Sequence, residues 1–202
     1  MLSSRPQMGQ QGEMSATDVV ELYAALQHLG VCIWVDGGWG VDALLGKQTR
    51  PHKDLDIAIQ EQDVPKLRQL LGEWEFREVK LDIARPHNFV LGDAQGHEVD
   101  VHVIVLDGSG NGIYGPAHNG QMYPAASLTG IGSIEGKQVR CVSAEWAIRF
   151  HRGYQLKDKD LRDVSALCER FGIERPDEYK QMLNRESSRC GRTESARPHK
   201  QE

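Results

Sequence analysis

Apolar residues recur three and four positions apart at Val19, Leu22, Tyr23, Leu26 and Leu29, which predicts an amphipathic helix ending at Gly30. Ser15 followed by Asp18 has the form of a capping box at its start. The run VCIWV (31–35) is short, apolar and partly β-branched, and predicts a buried strand. Asp36-Gly37-Gly38 predicts a turn, and WGVDALLG (39–46) a short helix stopped by Gly46. After a polar loop, DLDIAI (54–59) alternates polar and apolar residues, the pattern of a strand with one wet face. A further helix is expected from about Asp63, with Pro65 in its first turn and Val64, Leu67, Leu70 and Leu71 on one face. Strands are expected at 75–80, 87–92 and 97–106, the last two joined as a hairpin across DAQG.

The segment 107–136 is rich in Gly, Asn, Pro and Ser and reads as a long loop, a type that is often functional. KQVRCV (137–142) predicts a strand. Ser143 is expected to cap a helix reaching about Gly153, and a last helix over 158–171 carries Leu161, Val164, Leu167 and Cys168 on one stripe. Helices around a mixed sheet, with a small helical C-terminal part, define an α/β (α+β) chain. The 87–106 hairpin argues against a fully parallel, doubly wound sheet.

Composition narrows the partners. The 202 residues include 39% hydrophobic and 26% charged positions, ordinary for a globular protein, and the formal net charge is −5. An acidic chain without a clustered basic stripe argues against nucleic acid as a partner. The four cysteines, Cys32, Cys141, Cys168 and Cys190, stand singly without zinc-ligand spacing, which fits reduced thiols and a cytoplasmic location. No apolar run has the length of a membrane span, and residues 1–14 lack the apolar centre of a signal peptide.

The candidate chemistry lies in the carboxylates. Residues two apart on a strand share a face, so Asp54 and Asp56 project side by side. Such a pair needs a cation to offset its repulsion, and Mg²⁺ takes one or two carboxylates together with phosphate oxygens. An isolated D-x-D is more often a solvated strand face. In HEVDVHVIV (97–105), however, Glu98, Asp100 and His102 share a face, and Asp100 completes a three-carboxylate cluster if the two strands are neighbours. Gly37-Gly38 ahead of a helix suits the approach of phosphate to backbone N–H groups.

The run DGGWGVDALLGKQTRPHKDLDIAI (36–59) resembles the active-site segment of the antibiotic nucleotidyltransferases of the DNA polymerase β superfamily. It is most similar to the lincosamide nucleotidyltransferases, then to the aminoglycoside 2''-adenylyltransferases. VDVH (99–102) resembles their third-carboxylate strand, and RCVSAEWAIRFHRGYQL (140–156) the lincosamide group's later helix, including Phe150, His151, Gly153 and Tyr154. The resemblance covers about 17–172. It departs from many superfamily members at Trp39, where they carry Ser after the glycines, although the antibiotic-modifying relatives share the Trp.

The resemblance implies a polymerase β-like nucleotidyltransferase fold and AMP transfer from ATP to a hydroxyl of a small antibiotic. A lincosamide is the first expectation; an aminoglycoside, or a toxin-like reaction on tRNA or protein, is the alternative. It further implies two Mg²⁺ held by Asp54, Asp56 and Asp100, with Asp100 as base, ligand or both. The oligomeric state is left open, a homodimer included. The domains expected are an extension at 1–14, a nucleotidyltransferase domain at 15–142, a helical part at 143–184 and a disordered tail at 185–202.

Gly37, Gly38, Trp39, Arg50 and His52 are the expected nucleotide-binding residues. Arg50 and His52 are as readily a solvated loop, and Lys53 more so. Asp42 is expected to be structural. His102, Tyr114, Glu145 and Tyr154 are candidate acceptor contacts, with the core as the competing role for the aromatics. GNGIYG (110–115) matches a dinucleotide-binding pattern, but Pro116 follows and no helix opens, so it reads as loop. DGSGNG (107–112) lacks the acidic twelfth position of a calcium loop, which here is His118.

Overall fold

The computed structural model describes residues 12–80, 87–115 and 122–183, which form two compact units divided between Phe150 and His151. The first unit contains α1 (Ala16–His28), β1 (Ile33–Val35), α2 (Gly37–Leu45), β2 (Asp54–Gln60), α3 (Val64–Glu73), β3 (Arg77–Val79), β4 (Asn88–Gly92) and β5 (Glu98–Leu106). It continues with β6 (Gly112–Tyr114), β7 (Met122–Tyr123), β8 (Gly130–Ile134), β9 (Lys137–Cys141) and α4 (Ala144–Phe150). The second holds α5 (Asp158–Phe171) and helical residues 177–183. The expected N-terminal extension lies outside the described residues up to residue 11, and the tail at 185–202 lies wholly outside them.

The capping box forms as expected. Asp18 N–H donates to Ser15 Oγ (3.2 Å) and Ser15 N–H to Asp18 Oδ2 (2.8 Å), fixing the start of α1. Its buried stripe is Val19, Leu22, Tyr23 and Leu26. Replacing Ser15 with Ala is expected to lower unfolding free energy by about 1 kcal/mol, read from the urea midpoint at unchanged slope. An unchanged midpoint would mean that packing alone sets this end.

One mixed sheet of nine strands runs β3-β4-β5-β2-β1-β9-β8, with β6 on β5 and β7 on β6. Among the described residues, only β2–β5 and β1–β9 pair in parallel. The expected hairpin is present as antiparallel β4–β5. On β2, Leu55, Ile57 and Ile59 enter the core alongside Val99 and Val101 of β5 and Leu67, Leu70 and Leu71 of α3. The alternate residues of both strands therefore point the other way.

Several expectations are corrected. Met14, assigned to the extension, is 1% exposed and its N–H donates to His52 O. The strand expected at 31–35 starts at Ile33, because Val31 N–H still bonds the α1 carbonyl of Leu26. The glycines at 37 and 38 form the first turn of α2, not a turn ahead of it, because Asp36 caps the helix. The loop expected over 107–136 contains β6, β7, a 3-10 segment (Ala125–Thr129) and all of β8.

Glycine composition hid β8, where the glycines serve close packing. A Cβ on Gly132 would lie 2.5 Å from the Ala43 carbonyl of α2, and one on Gly130 would lie 2.4 Å from the Cys141 carbonyl. The boundary expected at 142/143 also moves: α4 belongs to the first unit and stops at Phe150, short of Gly153. No helix among the described residues is long and apolar enough to cross a membrane.

Candidate active site

The parallel register of β2 and β5 sets Asp54 opposite Glu98, Asp56 opposite Asp100 and Ala58 opposite His102. The face turned away from the core therefore collects the expected carboxylates. His102 Nε2 lies 3.9 Å from both Asp56 Oδ1 and Asp100 Oδ1. Donor atoms of Asp56, Asp100 and His102 all fall within 4.8 Å of one another, close enough for small side-chain rotations to bring them onto one cation. Asp54 stands at the exposed start of the same face and is not part of that triad. Asp100 Oδ1 is buried without a hydrogen-bond partner, the condition of a ligand atom awaiting a cation. Two carboxylates with an imidazole beside them thus fit a divalent metal.

Behind Asp56 is a carboxylate that sequence reading passed over. Asp36 ends β1; its Oδ1 accepts from Gly37 N–H (2.8 Å) and its Oδ2 from Tyr123 Oη–H (2.9 Å). Its own N–H donates to Asp56 O (2.8 Å). Gly37 therefore already gives its N–H to Asp36. Its need to be glycine comes from Asp56: a Cβ there would sit 2.0 Å from Asp56 Oδ2, at a φ of +55°. Gly38 lies under the His52 ring and the Arg50 guanidinium: a Cβ would fall 2.4 Å from His52 Nδ1 and 2.6 Å from Arg50 Nη2. Arg50 is thus carried over the first turn of α2, where anions are favoured.

His52 and Trp39 are placed differently from a phosphate clamp in solvent. Trp39 is 1% and His52 3% exposed, with ring centroids 4.7 Å apart. His52 Nε2 is 2.5 Å from Asp42 Oδ2, and Thr49 Oγ1 donates to Asp42 Oδ1 (2.6 Å). Asp42 therefore has the structural surroundings expected of it: it ties the 47–53 loop to α2.

A line of rings leaves the carboxylates on the other side. His102 faces Tyr114 (5.4 Å) and Tyr123 (6.4 Å); Tyr123 meets Phe150 (5.2 Å), and Phe150 meets Trp146 (5.7 Å). His102 Nδ1 is 3.1 Å from Tyr114 Oη and 3.3 Å from Asn88 Nδ2. Glu145 is exposed in the first turn of α4. Tyr154 lies in the second unit, where burial and Asp160 raise the pKa of its hydroxyl.

Charge in the site is held under tension. Burial pushes the Asp100 carboxyl above its ordinary value; His102 and Asn88 oppose this, while Asp56 and Asp54 reinforce it. Burial likewise raises Asp36, with His102 working against it. Burial disfavours charge on His102, but the hydrogen bond with Asp56 and the charges of Asp36, Asp100 and Asp56 prevail and raise its pKa.

Asn88 and Tyr123 join Asp36 as residues that sequence reading missed. Asn88 follows from the hairpin, whose register sets it opposite His102. Asp36 carries a signal too, an Asx residue immediately before a helix. Tyr123 carries none, because it reaches the site on the two-residue strand β7.

A mixed sheet that brings paired carboxylates beside a third on a parallel neighbour, next to a glycine-led helix, defines a nucleotidyltransferase of the polymerase β-like fold. Comparison with known proteins supports this class and narrows it. Residues 18–167 match the family model described as aminoglycoside-2''-adenylyltransferase, and the chain belongs to that family. A lincosamide resistance protein of Staphylococcus haemolyticus is 30% identical over 142 residues, covering 70% of this chain and 86% of that protein. The lincosamide adenylyltransferase LnuA, solved with lincomycin bound, superposes with a TM-score of 0.63 at 25% identity, covering 77% of this chain and 97% of that one. ANT(2'')-Ia, solved with adenylyl-2''-tobramycin, gives 0.62 at 19% identity, covering 86% and 97%, and at that identity speaks for the fold alone.

Proposed function

We propose that this enzyme transfers AMP from ATP to a hydroxyl of a small antibiotic, with a lincosamide as acceptor. The register that sets Asp56 opposite Asp100 carries this reading, because it builds one cation site on the face beside α2. Two Mg²⁺, held by Asp54, Asp56 and Asp100, would neutralise the triphosphate and acidify the acceptor hydroxyl. Gly38 at the start of α2 and Arg50 above it meet the phosphates. Asp100, on the same face, takes the acceptor's proton or shares the metal that acidifies it. ATP as donor fits a cytoplasmic reaction.

The acceptor class rests on the ring-lined side of the site. Tyr114, Tyr123, Phe150 and Trp146 offer faces to a sugar carrying an apolar substituent. A polycationic aminoglycoside calls for carboxylates on that wall, and Glu145 is the acid that α4 supplies. The family match keeps the aminoglycoside as the second reading. Incubation with ATP, Mg²⁺ and either clindamycin or tobramycin, followed by mass spectrometry, is expected to show the AMP adduct on clindamycin. An adduct on tobramycin alone reverses the order of the two readings. No adduct on either, with pyrophosphate released on adding tRNA or protein, replaces both.

A further inference from the structure

We propose that His102 is a nitrogen ligand of the catalytic metal site, so that Asp56, Asp100 and His102 form a mixed oxygen–nitrogen set that prefers Mn²⁺ and Co²⁺ to Mg²⁺. This rests on the reading of these carboxylates as a metal site. The donor geometry is the first support. A cation with bonds of about 2.0–2.2 Å holds any two ligand atoms no more than about 4.4 Å apart. His102 Nε2 is 3.9 Å from a carboxylate oxygen on each side, so one ion can reach all three residues with small rotations.

The second support is the anchoring of the ring. A metal-binding imidazole uses one nitrogen for the ion and fixes the other through a hydrogen bond. His102 Nε2 faces the carboxylates, while Nδ1 lies 3.1 Å from Tyr114 Oη. That hydroxyl oxygen can accept the Nδ1 proton, which leaves the Nε2 lone pair directed at Asp56 and Asp100. Tyr114 and Tyr123 flank the ring. His102 itself sits within β5, with β2 on one side and β4 on the other. Its orientation is therefore set by the sheet and two hydroxylated rings, not by a mobile loop.

The third support is the buried, partnerless Asp100 Oδ1, one of the two oxygens that His102 Nε2 faces. Mg²⁺ prefers an all-oxygen shell, whereas an imidazole raises affinity along the series from Mn²⁺ to Co²⁺. The site's metal preference is thus written in one residue of β5, two positions from a carboxylate ligand.

The test is spectroscopic and needs no acceptor. Full-length protein, with natural-abundance or ¹⁵N-labelled histidine, is loaded with Mn²⁺ and a non-hydrolysable ATP analogue and measured by pulsed electron paramagnetic resonance. A hyperfine coupling that changes from ¹⁴N to ¹⁵N on histidine labelling is expected. Titration calorimetry is expected to show Co²⁺ binding weakened about 10–100-fold in His102→Gln, with Mg²⁺ binding altered less than about threefold. His102→Asp is expected to bind Mg²⁺ more tightly than the wild type, through an all-oxygen set, and to lose the nitrogen coupling. Manganese bound without histidine coupling overturns this inference and leaves the metal-dependent reading standing. No binding of any of the three ions overturns both. The labelled wild-type measurement decides the matter even if a variant fails to fold.

Discussion

Asp56→Asn is expected to lower AMP transfer by about a thousandfold or more while leaving the melting temperature unchanged or slightly higher. The side chain keeps its shape, so it still fits against Gly37, where no Cβ is tolerated. What it loses is charge in the middle of the site: Asp56 belongs to the triad that can share a cation, and it lies opposite Asp100. Stability should not suffer, because Asp56 pushes up the pKa of both Asp36 and Asp100. Removing that charge relieves repulsion in the unloaded protein. Steady-state rates at saturating ATP and metal, beside a thermal scan, check both halves. Activity within tenfold of wild type would defeat the assignment of this cluster as the metal site. A large drop in melting temperature would show that the loss came from the fold.

That cluster was half legible in the sequence, for a physical reason. Period-two alternation fixes which residues of a strand share a face, so Asp54 with Asp56 and Asp100 with His102 could be grouped before any pairing was known. The register between the two strands could not be read. β2 and β5 are parallel and joined by a long crossover, and no turn chemistry sets their offset. A slip of two residues would preserve the core pattern and set Asp56 opposite Glu98 or His102. The antiparallel β4–β5 hairpin is the opposite case, since its short turn dictates that Asn88 meets His102.

The third wall was not legible because it hangs on short elements. β6 and β7 contribute three and two residues, too few to show alternation, yet they bring Tyr114 and Tyr123 to the site. Gly130 and Gly132 look like loop residues until the carbonyls of Cys141 and Ala43 are seen against them. Composition alone cannot separate a glycine that bends the chain from one that lets another backbone approach.

The same limit applies to His52, and here structure and resemblance point to different experiments. His52→Ala is expected to lower stability by about 3 kcal/mol, the range for emptying a buried ring site and stranding its hydrogen-bond partner. In a domain of this size that is a fall of roughly 6–12 °C in melting temperature. The imidazole is 3% exposed, bonded to Asp42 and stacked against Trp39. Its removal leaves a carboxylate that is 2% exposed with only Thr49 Oγ1 beside it, and empties the space against the indole. A residue that clamps phosphate from solvent would behave otherwise: its loss would weaken ATP binding and leave the melting temperature alone. Arg50→Ala provides that contrast, since Arg50 lies over Gly38 at the start of α2 and is only half-buried. It is expected to raise the KM for ATP without lowering stability. If His52→Ala instead melts with the wild type and binds ATP more weakly, the Asp42–His52 pair is part of the nucleotide site and not the brace beneath it.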